Sequence, residues 1–146
     1  MTDQLYLFAT LAGTRVAIAT DEIEAVVKLT EIAPVPGMPS HVAGLSALRS
    51  RVLTIIDIAA LIHGHATPTD QRRLAIIANI SGHSYGLMVD GVSDIDAVDG
   101  GPQPLRGQIA PEWRPYARGL VDSDAGACLL VTLSSFVEAG AWPQAA

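Results

Sequence analysis

The hydrophobic residues of this chain recur at every second position over short stretches, which is the pattern of half-buried β-strands. Leu5–Thr10 and Arg15–Ile18 alternate in this way on either side of Ala12-Gly13, so we predict a β-hairpin there. Ile23–Leu29 is rich in β-branched residues and predicts a strand, although it also fits a helix capped by Thr20 or Asp21. Further strands are predicted at Leu45–Arg49, Arg51–Ile56, Leu74–Ile80, Tyr85–Val89, Ile95–Val98, Ala117–Val121 and Cys128–Leu133.

Three prolines make residues 34–39 an extended loop, because proline has no backbone N–H to donate to a helix or a central strand. The next segment, Ser40–Gly44, predicts one helical turn with Ser40 as its N-cap. Short helices are also predicted at Ile58–Ile62, capped by Asp57, and from Ser134 or Ser135 onward. Nine or ten strands with two or three short helices predict an all-β fold of small barrels or a sandwich.

An internal duplication runs through the chain. Residues 13–23 resemble residues 82–92 at an offset of 69. Residues 44–45 and 52–62 resemble residues 119–120 and 127–137 at an offset of 75. Chance likeness between alternating strands is the alternative, but glycines coincide in both pairs of segments. We therefore predict one domain over 1–140, built of two similar subdomains on a shared core. The first subdomain covers about 12–70 and the second about 71–140, and residues 141–146 form a frayed tail.

Composition narrows the class of protein. Of the 146 residues, 49% are hydrophobic and 16% are charged, which is unlike a disordered chain or a coiled coil. No apolar run approaches the roughly 18 residues of a membrane span, and the N-terminus does not look like a signal peptide, so we expect a cytoplasmic protein. A net charge of −6 argues against binding to nucleic acid and against an electrostatic membrane anchor.

Candidate catalytic and metal-binding groups do not assemble into a site. No phosphate-binding loop or nucleophile elbow occurs, and Cys128 lies in an apolar strand as a core thiol. His63 and His65 are two ligands without a third, which favours a solvated loop. A cluster of aspartates has the wrong spacing for a calcium loop and favours a solvated sheet edge: Asp90, Asp94, Asp96 and Asp99. We therefore expect that the protein is not an enzyme and that it binds no metal and no cofactor.

The remaining signal is an interaction surface. A proline loop is rigid before it binds, and Val35, Met38 and Val42 could form an apolar patch beside it. Arg49 lies where one predicted strand turns into the next, and its guanidinium offers a planar fork of donors to a partner. An ordinary connector and a solvated turn charge are the alternatives.

Residues 32–57 resemble the signature of CheW-type chemotaxis coupling proteins. The members of that family typically contain Pro-x-Pro-x-x-Pro, then a glycine, then Asn-Leu-Arg-Gly, and then an apolar strand that ends in Asp-Leu. The element at Tyr85–Val92 and the closing hairpin of Gly119-Leu120-Val121 with Leu129–Leu133 also resemble the family. The resemblance covers nearly the whole chain.

The resemblance implies two SH3-like five-stranded β-barrels packed on a shared core. It implies a non-catalytic adaptor that couples methyl-accepting chemoreceptors to the regulatory domain of a CheA-type histidine kinase in bacterial chemotaxis. The expected location is the chemoreceptor array beneath the inner membrane, without membrane insertion, where other coupling proteins can join it in rings. A stand-alone regulatory module that binds a kinase or another protein without a receptor is the alternative.

The same resemblance suggests site residues. Arg49 matches the motif arginine and, with Leu48 and Val27, is assigned to a groove that receives the receptor tip. The kinase contact is assigned to the proline loop and the turn after it: Pro36, Met38, Pro39 and Val42. Asp57 matches the motif aspartate, which could instead be a helix cap.

The chain departs from the family pattern near the motif arginine. Ala47 replaces the motif asparagine, and Ser50 replaces the motif glycine, which costs backbone energy if that position needs a positive φ. Ala25 stands where the family often has a glutamate, unless Glu24 takes that role. These differences concern the choice of partners rather than the fold.

Overall fold

The computed structural model describes residues 4–29, 31–39, 41–65, 67–68, 74–98, 102–105, 107, 109–123 and 126–139. Its strands are β1 (Gln4–Leu11), β2 (Thr14–Ala19), β3 (Ala25–Lys28), β4 (Val42–Leu48), β5 (Arg51–Asp57), β6 (Leu74–Ile80), β7 (His83–Val89), β8 (Gly91–Val98), β9 (Ala117–Ser123) and β10 (Gly126–Val131). The described residues also form two short α-helices, α1 (Ile58–His63) and α2 (Leu133–Ala139), and 3-10 turns at Thr20–Glu22 and Pro111–Trp113. The predictions for Ser40 and for the tail at 141–146 lie outside the described residues.

The ten strands form two five-stranded sheets. The first sheet has the order β8-β1-β2-β10-β9, and the second has the order β3-β6-β7-β5-β4. Neighbours are antiparallel except β2 with β10 and β5 with β7, which run parallel. The prediction of an all-β fold with two five-stranded subdomains and short helices is confirmed.

The two sheets exchange strands between the halves of the chain. Five strands and a helix occur twice in chain order, but β1 pairs with β8 and β3 pairs with β6. The second sheet is therefore built from the continuous stretch 25–89, and the first sheet takes the strands on either side of it. The expected barrels at about 12–70 and about 71–140 do not match the sheets, because pairing across the halves moves both boundaries.

Three apolar clusters hold this arrangement together. All five strands of the first sheet contribute to the interior of one barrel: Tyr6, Phe8, Ala17, Val121 and Cys128, with Ala19, Val98 and Leu130 at its margin. All five strands of the second sheet contribute to the other: Ala43, Leu53, Ile55, Ile77 and Met88, with Ala25, Val27 and Leu48 at its margin. The largest cluster lies between the barrels and includes Leu7, Ile18, Ile56, Ile76, Leu87 and Phe136. The predicted shared core is therefore present.

Glycines mark the points that the two halves have in common. Gly44 and Gly119 occupy equivalent places in β4 and β9, where the backbone of an earlier segment crosses the strand. A Cβ on Gly119 would lie 2.7 Å from the carbonyl oxygen of Gln103, and a Cβ on Gly44 would meet the carbonyl oxygen of Ala33 more closely still. Glycine is needed at both places because no side chain fits there.

Two segments for which a helix was predicted or considered form strands instead. The predicted helical turn at Ser40–Gly44 is wrong for its described residues, because Val42–Gly44 belong to β4. The backbones of Ala33 and Leu45 exchange two hydrogen bonds of 2.8 Å, which fix this segment as a strand. Within the predicted segment Ile23–Leu29, Ala25–Lys28 form the strand β3 rather than a helix, and pairing with β6 explains that choice.

Candidate functional site

The hairpin between β4 and β5 carries Arg49 at its tip. Leu48 pairs with Arg51 across the hairpin, so Arg49 and Ser50 form a two-residue loop. Arg49 is exposed and has a φ of 57°, whereas Ser50 does not belong to the described residues with a positive φ. The left-handed position of this turn is therefore filled by the arginine itself, and the condition under which Ser50 would cost backbone energy, a positive φ at that position, is not met.

The residue after the loop is fixed by an ion pair. Arg51 donates through both terminal nitrogens to the two carboxylate oxygens of Glu24, with 3.1 Å between Nη1 and Oε1. The same Nη1 lies 3.4 Å from Oγ of Ser84 on β7. The hydrogen bonds from Arg51 hold the pKa of Glu24 below its ordinary value, and those to Glu24 raise the pKa of Arg51. Glu24, rather than Ala25, supplies the acidic group at this end of β3.

Leu48 and Val27 lie on the same apolar cluster. Both are half-buried and pack against the interior of the second barrel. The structure thus brings two of the three residues assigned to the receptor groove onto one cluster, with Arg49 next to Leu48 in the hairpin. Their apolar atoms contribute to the barrel whether or not a partner is bound.

The residues assigned to the kinase contact lie at the start of β4. Pro36 is exposed, and Met38 and Pro39 are half-buried. The backbone N–H of Val42 donates to the carbonyl of Pro39 at 2.9 Å, and the Val42 side chain packs against the core between the barrels. Pro36 and Met38 are therefore available to a partner. Val42 anchors the loop, because its side chain packs on the core and its backbone bonds to Pro39.

The two groups of residues are well separated. Val42 begins β4 and Arg49 follows its last residue. A strand rises about 3.3 Å per residue, so roughly 20 Å lies between the proline loop and the hairpin tip. Two macromolecular partners could occupy these ends of one strand together.

An exposed apolar face beside Arg49 was not predicted from the sequence. Val52 faces Ala47 across the β4–β5 hairpin, and Leu45 is the next outward residue along β4. Val52 is 64% exposed and Leu45 is 38% exposed. The alternation of side chains along β5 could have indicated this face, since Leu53 fills the barrel interior and Val52, its neighbour, must face away from it.

Asp57 has a structural role. Its side chain is buried and accepts hydrogen bonds from the Ala60 N–H at 3.2 Å, the Thr67 N–H at 2.7 Å and the Thr67 hydroxyl at 2.7 Å. The helix that it caps, α1, ends at Gly64 in the left-handed conformation. The capping prediction for this motif aspartate is confirmed.

Within the described ranges, no group of three His, Cys, Asp or Glu side chains could hold a metal ion. His63 and His65 are exposed, and their rings stack with 6.0 Å between centroids. Asp94 and Asp96 are exposed on β8, at the edge of the first sheet. Asp90 accepts the Gly13 N–H at 2.8 Å, and Asp99 lies outside the described residues.

Among the helices that the structure describes, none has the length and apolar character needed to cross a lipid bilayer.

Comparison with known proteins gives a consistent result. The family model for the CheW-like domain matches residues 5–140. A chemotaxis protein CheW of Rhizobium meliloti (strain 1021) is 35% identical over 107 residues, which cover 73% of this chain and 69% of that protein. The CheW of Thermotoga maritima is 23% identical over 122 residues, 84% of this chain and 80% of that protein.

The fold also resembles a solved structure. The scaffolding protein TtCheW from Thermoanaerobacter tengcongensis superposes with a TM-score of 0.77 over 91% of this chain and 86% of that protein. The two sequences are 20% identical, so this likeness concerns the fold, with its two SH3-like subdomains.

Proposed function

This chain belongs to the CheW-like domain family, and from that membership we propose that it is a non-catalytic adaptor. In this proposal it couples methyl-accepting chemoreceptors to the regulatory domain of a CheA-type histidine kinase in bacterial chemotaxis signalling. The names of its relatives, chemotaxis proteins and a scaffolding protein, support the choice of system.

The observation that carries the proposal is the separation of two surfaces along β4. A coupling protein must bind two partners at once. The exposed hairpin tip lies at one end of this strand, and the proline loop lies at the other. The two surfaces lie at opposite ends of the strand and share no residue, as binding of two partners at once requires.

The receptor surface in this proposal is formed by Arg49, Leu48 and Val27. A helical receptor tip would place an apolar stripe against the margin of the second barrel, where Leu48 and Val27 are half-buried. The guanidinium of Arg49 would fix the orientation by binding a carboxylate or a carbonyl.

The kinase surface in this proposal is formed by the proline loop. Pro36 and Met38 offer a pre-ordered apolar contact, which lowers the entropy cost of binding. Pro39 and Val42 hold the loop against β4 through their backbone hydrogen bond.

The proposed location is the cytoplasmic side of the inner membrane, in the chemoreceptor array. Contacts with a receptor, a kinase and further coupling proteins would each be weak there and strengthen one another through multivalency.

Three-component size-exclusion chromatography tests the proposal. The components are this protein, a CheA-type regulatory domain and a receptor cytoplasmic fragment from the same organism. We expect the three proteins to elute together in one peak. This peak should contain more complex than the peaks formed by this protein with either partner alone. Kinase binding without receptor binding would support the stand-alone regulatory module instead, and binding to neither would remove the proposal.

The Arg49→Ala variant tests the receptor surface. We expect loss of receptor binding, retained kinase binding and an unchanged circular dichroism spectrum. Receptor affinity equal to that of the wild type would remove Arg49 from the surface.

A further inference from the structure

Arg49 has a backbone conformation that an L-amino acid keeps only where its surroundings hold it. Two other described residues that are not glycine also have a positive φ, Ala12 at 50° and Ser81 at 52°. Each of these is followed by a glycine with positive φ, which makes a tight turn easy to close. Arg49 is followed by Ser50, so the tip of the β4–β5 hairpin needs another source of order.

The ion pair of Arg51 supplies such a source. Arg51 is the first residue of β5 and lies on the same face as Leu53 and Ile55, which fill the second barrel. Glu24 immediately precedes β3, and β3 is separated from β5 in the sheet by β6 and β7. The pair therefore crosses the mouth of the barrel and ties the base of the hairpin to a distant strand.

Two further contacts fix the ends of this tie. The backbone N–H of Glu24 donates to the carbonyl of Ile77 on β6 at 2.8 Å, which holds the acidic residue. Nη1 of Arg51 lies 3.4 Å from Oγ of Ser84 on β7, which holds the guanidinium. A hairpin that is held at its base has less freedom left to lose at its tip when a partner binds.

The two arginines of the hairpin thus differ in availability. The charge of Arg51 is matched by Glu24. The guanidinium of Arg49 has no hydrogen-bond or ion-pair partner among the described residues. One arginine is used within the fold, and the other is presented to the outside.

We propose that Glu24, Arg51 and Ser84 form a clamp whose role is to position Arg49 for its partner. The inference rests on the proposed receptor surface for its consequence, but the ordering of Arg49 can be measured in the free protein. Arg51 and Glu24 are positioning residues here, since they act through Arg49.

Heteronuclear NOE measurements on the backbone amides of the free protein test the ordering. We expect the value at Arg49 to be that of a rigid backbone in the wild type and to fall in Arg51→Ala and Glu24→Ala. The double variant Glu24→Arg/Arg51→Glu should restore it. Arg118→Ala is the matched control, because Arg118 is a strand arginine of the other sheet that bonds to Oγ1 of Thr132 at 3.4 Å. An Arg49 amide that stays rigid in Arg51→Ala would overturn the clamp.

Receptor titrations test the consequence. Arg51→Ala should weaken binding of a receptor cytoplasmic fragment by about two- to tenfold, the cost of ordering one side chain on binding. In an Arg49→Ala background, where the residual binding is titrated at high concentrations of the receptor fragment, the same change should have no further effect, because the clamp acts through Arg49. Additive effects would contradict the clamp. If the wild type binds no receptor fragment, the proposed function fails, and the NOE values still decide whether the clamp exists.

Discussion

The β4–β5 and β9–β10 hairpins occupy equivalent places in the two sheets, yet their outward faces differ in charge and polarity. Val52 faces Ala47 across the first hairpin, and Ala127 faces Asp122 at the same place in the second. The carboxylate of Asp122 accepts a hydrogen bond of 3.2 Å from the side-chain amide of Gln103. At this place one hairpin therefore presents an exposed valine, with Arg49 beside it, and the other presents a carboxylate.

The inward faces of the same two hairpins are alike. Leu53 and Cys128 fill equivalent places in the two barrel interiors, and Ile56 and Val131 do so in the shared core. The duplication has kept the residues that pack and has diverged where the strands meet solvent. This difference agrees with the proposed receptor surface on the first hairpin, and it assigns no such surface to the second.

The largest expected effect separates the two equivalent glycines. Gly44→Ala should lower the free energy of unfolding by about 2–5 kcal/mol, because the new Cβ meets a backbone carbonyl and the φ of 144° is strained for alanine. Gly119→Ala should cost about 1–3 kcal/mol, since only the close approach to Gln103 is at stake. Urea denaturation of both variants checks the order. A larger loss at Gly119 would contradict it.

These glycines also show what could be predicted from the sequence. Their coincidence at an offset of 75 residues revealed the duplication and the two subdomains. Alternation identified the strands, because its period reports which side chains share a face. It could not report which strand pairs with β1 or β3, since pairing partners far apart in the chain leave no local signal. The barrel boundaries were wrong for that reason.

The candidate site shows the same limit. The turn position of Arg49 follows from the local pattern and from the resemblance to CheW-type proteins. Its left-handed backbone and its clamp do not, because Glu24 is 27 residues away from Arg51 and precedes β3, a strand that is not hydrogen-bonded to β5. The exposed face of Val52 depends on which side of the sheet the shared core covers, and that is again a property of tertiary packing.

The next effect compares the caps of the two helices. Asp57→Ala should cost about 2–4 kcal/mol, because it leaves the buried N–H group of Ala60 and the half-buried N–H group of Thr67 without their carboxylate. Helix α2 has a cap from a distant segment instead, where Oε1 of Glu22 accepts the Leu133 N–H at 2.9 Å. Glu22→Ala should cost about 0.5–2 kcal/mol, since one bond is lost. Thermal unfolding followed by circular dichroism ranks the two, and an equal loss would show that the caps are equivalent.

A smaller effect distinguishes two neighbouring glutamates by the sign of their pH dependence. Burial raises the pKa of Glu22 above its ordinary 4.5, with the charge of Asp21 adding to the rise and the Leu133 N–H opposing it. The folded state then binds this proton more tightly than the unfolded chain, so the contribution of Glu22 to stability falls as pH rises above 4.5.

Glu24 behaves in the opposite way. The hydrogen bonds from Arg51 lower the pKa of Glu24 below 4.5, so its contribution to stability is present above that value and is lost as pH falls through the folded pKa. The measurement is the free energy of unfolding from about pH 3 to pH 7 for Glu22→Gln and Glu24→Gln against the wild type. Difference curves with the same slope would contradict the assignment.

The smallest expected effect on stability belongs to Val52, and it tests the comparison of the hairpins most directly. Val52→Ser and its counterpart Ala127→Ser should each leave the free energy of unfolding within about 0.5 kcal/mol of the wild type, because both side chains are exposed. Binding of a receptor fragment should weaken by up to about tenfold for Val52→Ser, since an apolar contact would be lost. Receptor binding should not change for Ala127→Ser, because Ala127 faces the carboxylate of Asp122 and makes no apolar surface there. Equal effects would mean that the exposed valine is an ordinary surface residue, and the difference between the hairpins would then have no bearing on partner binding.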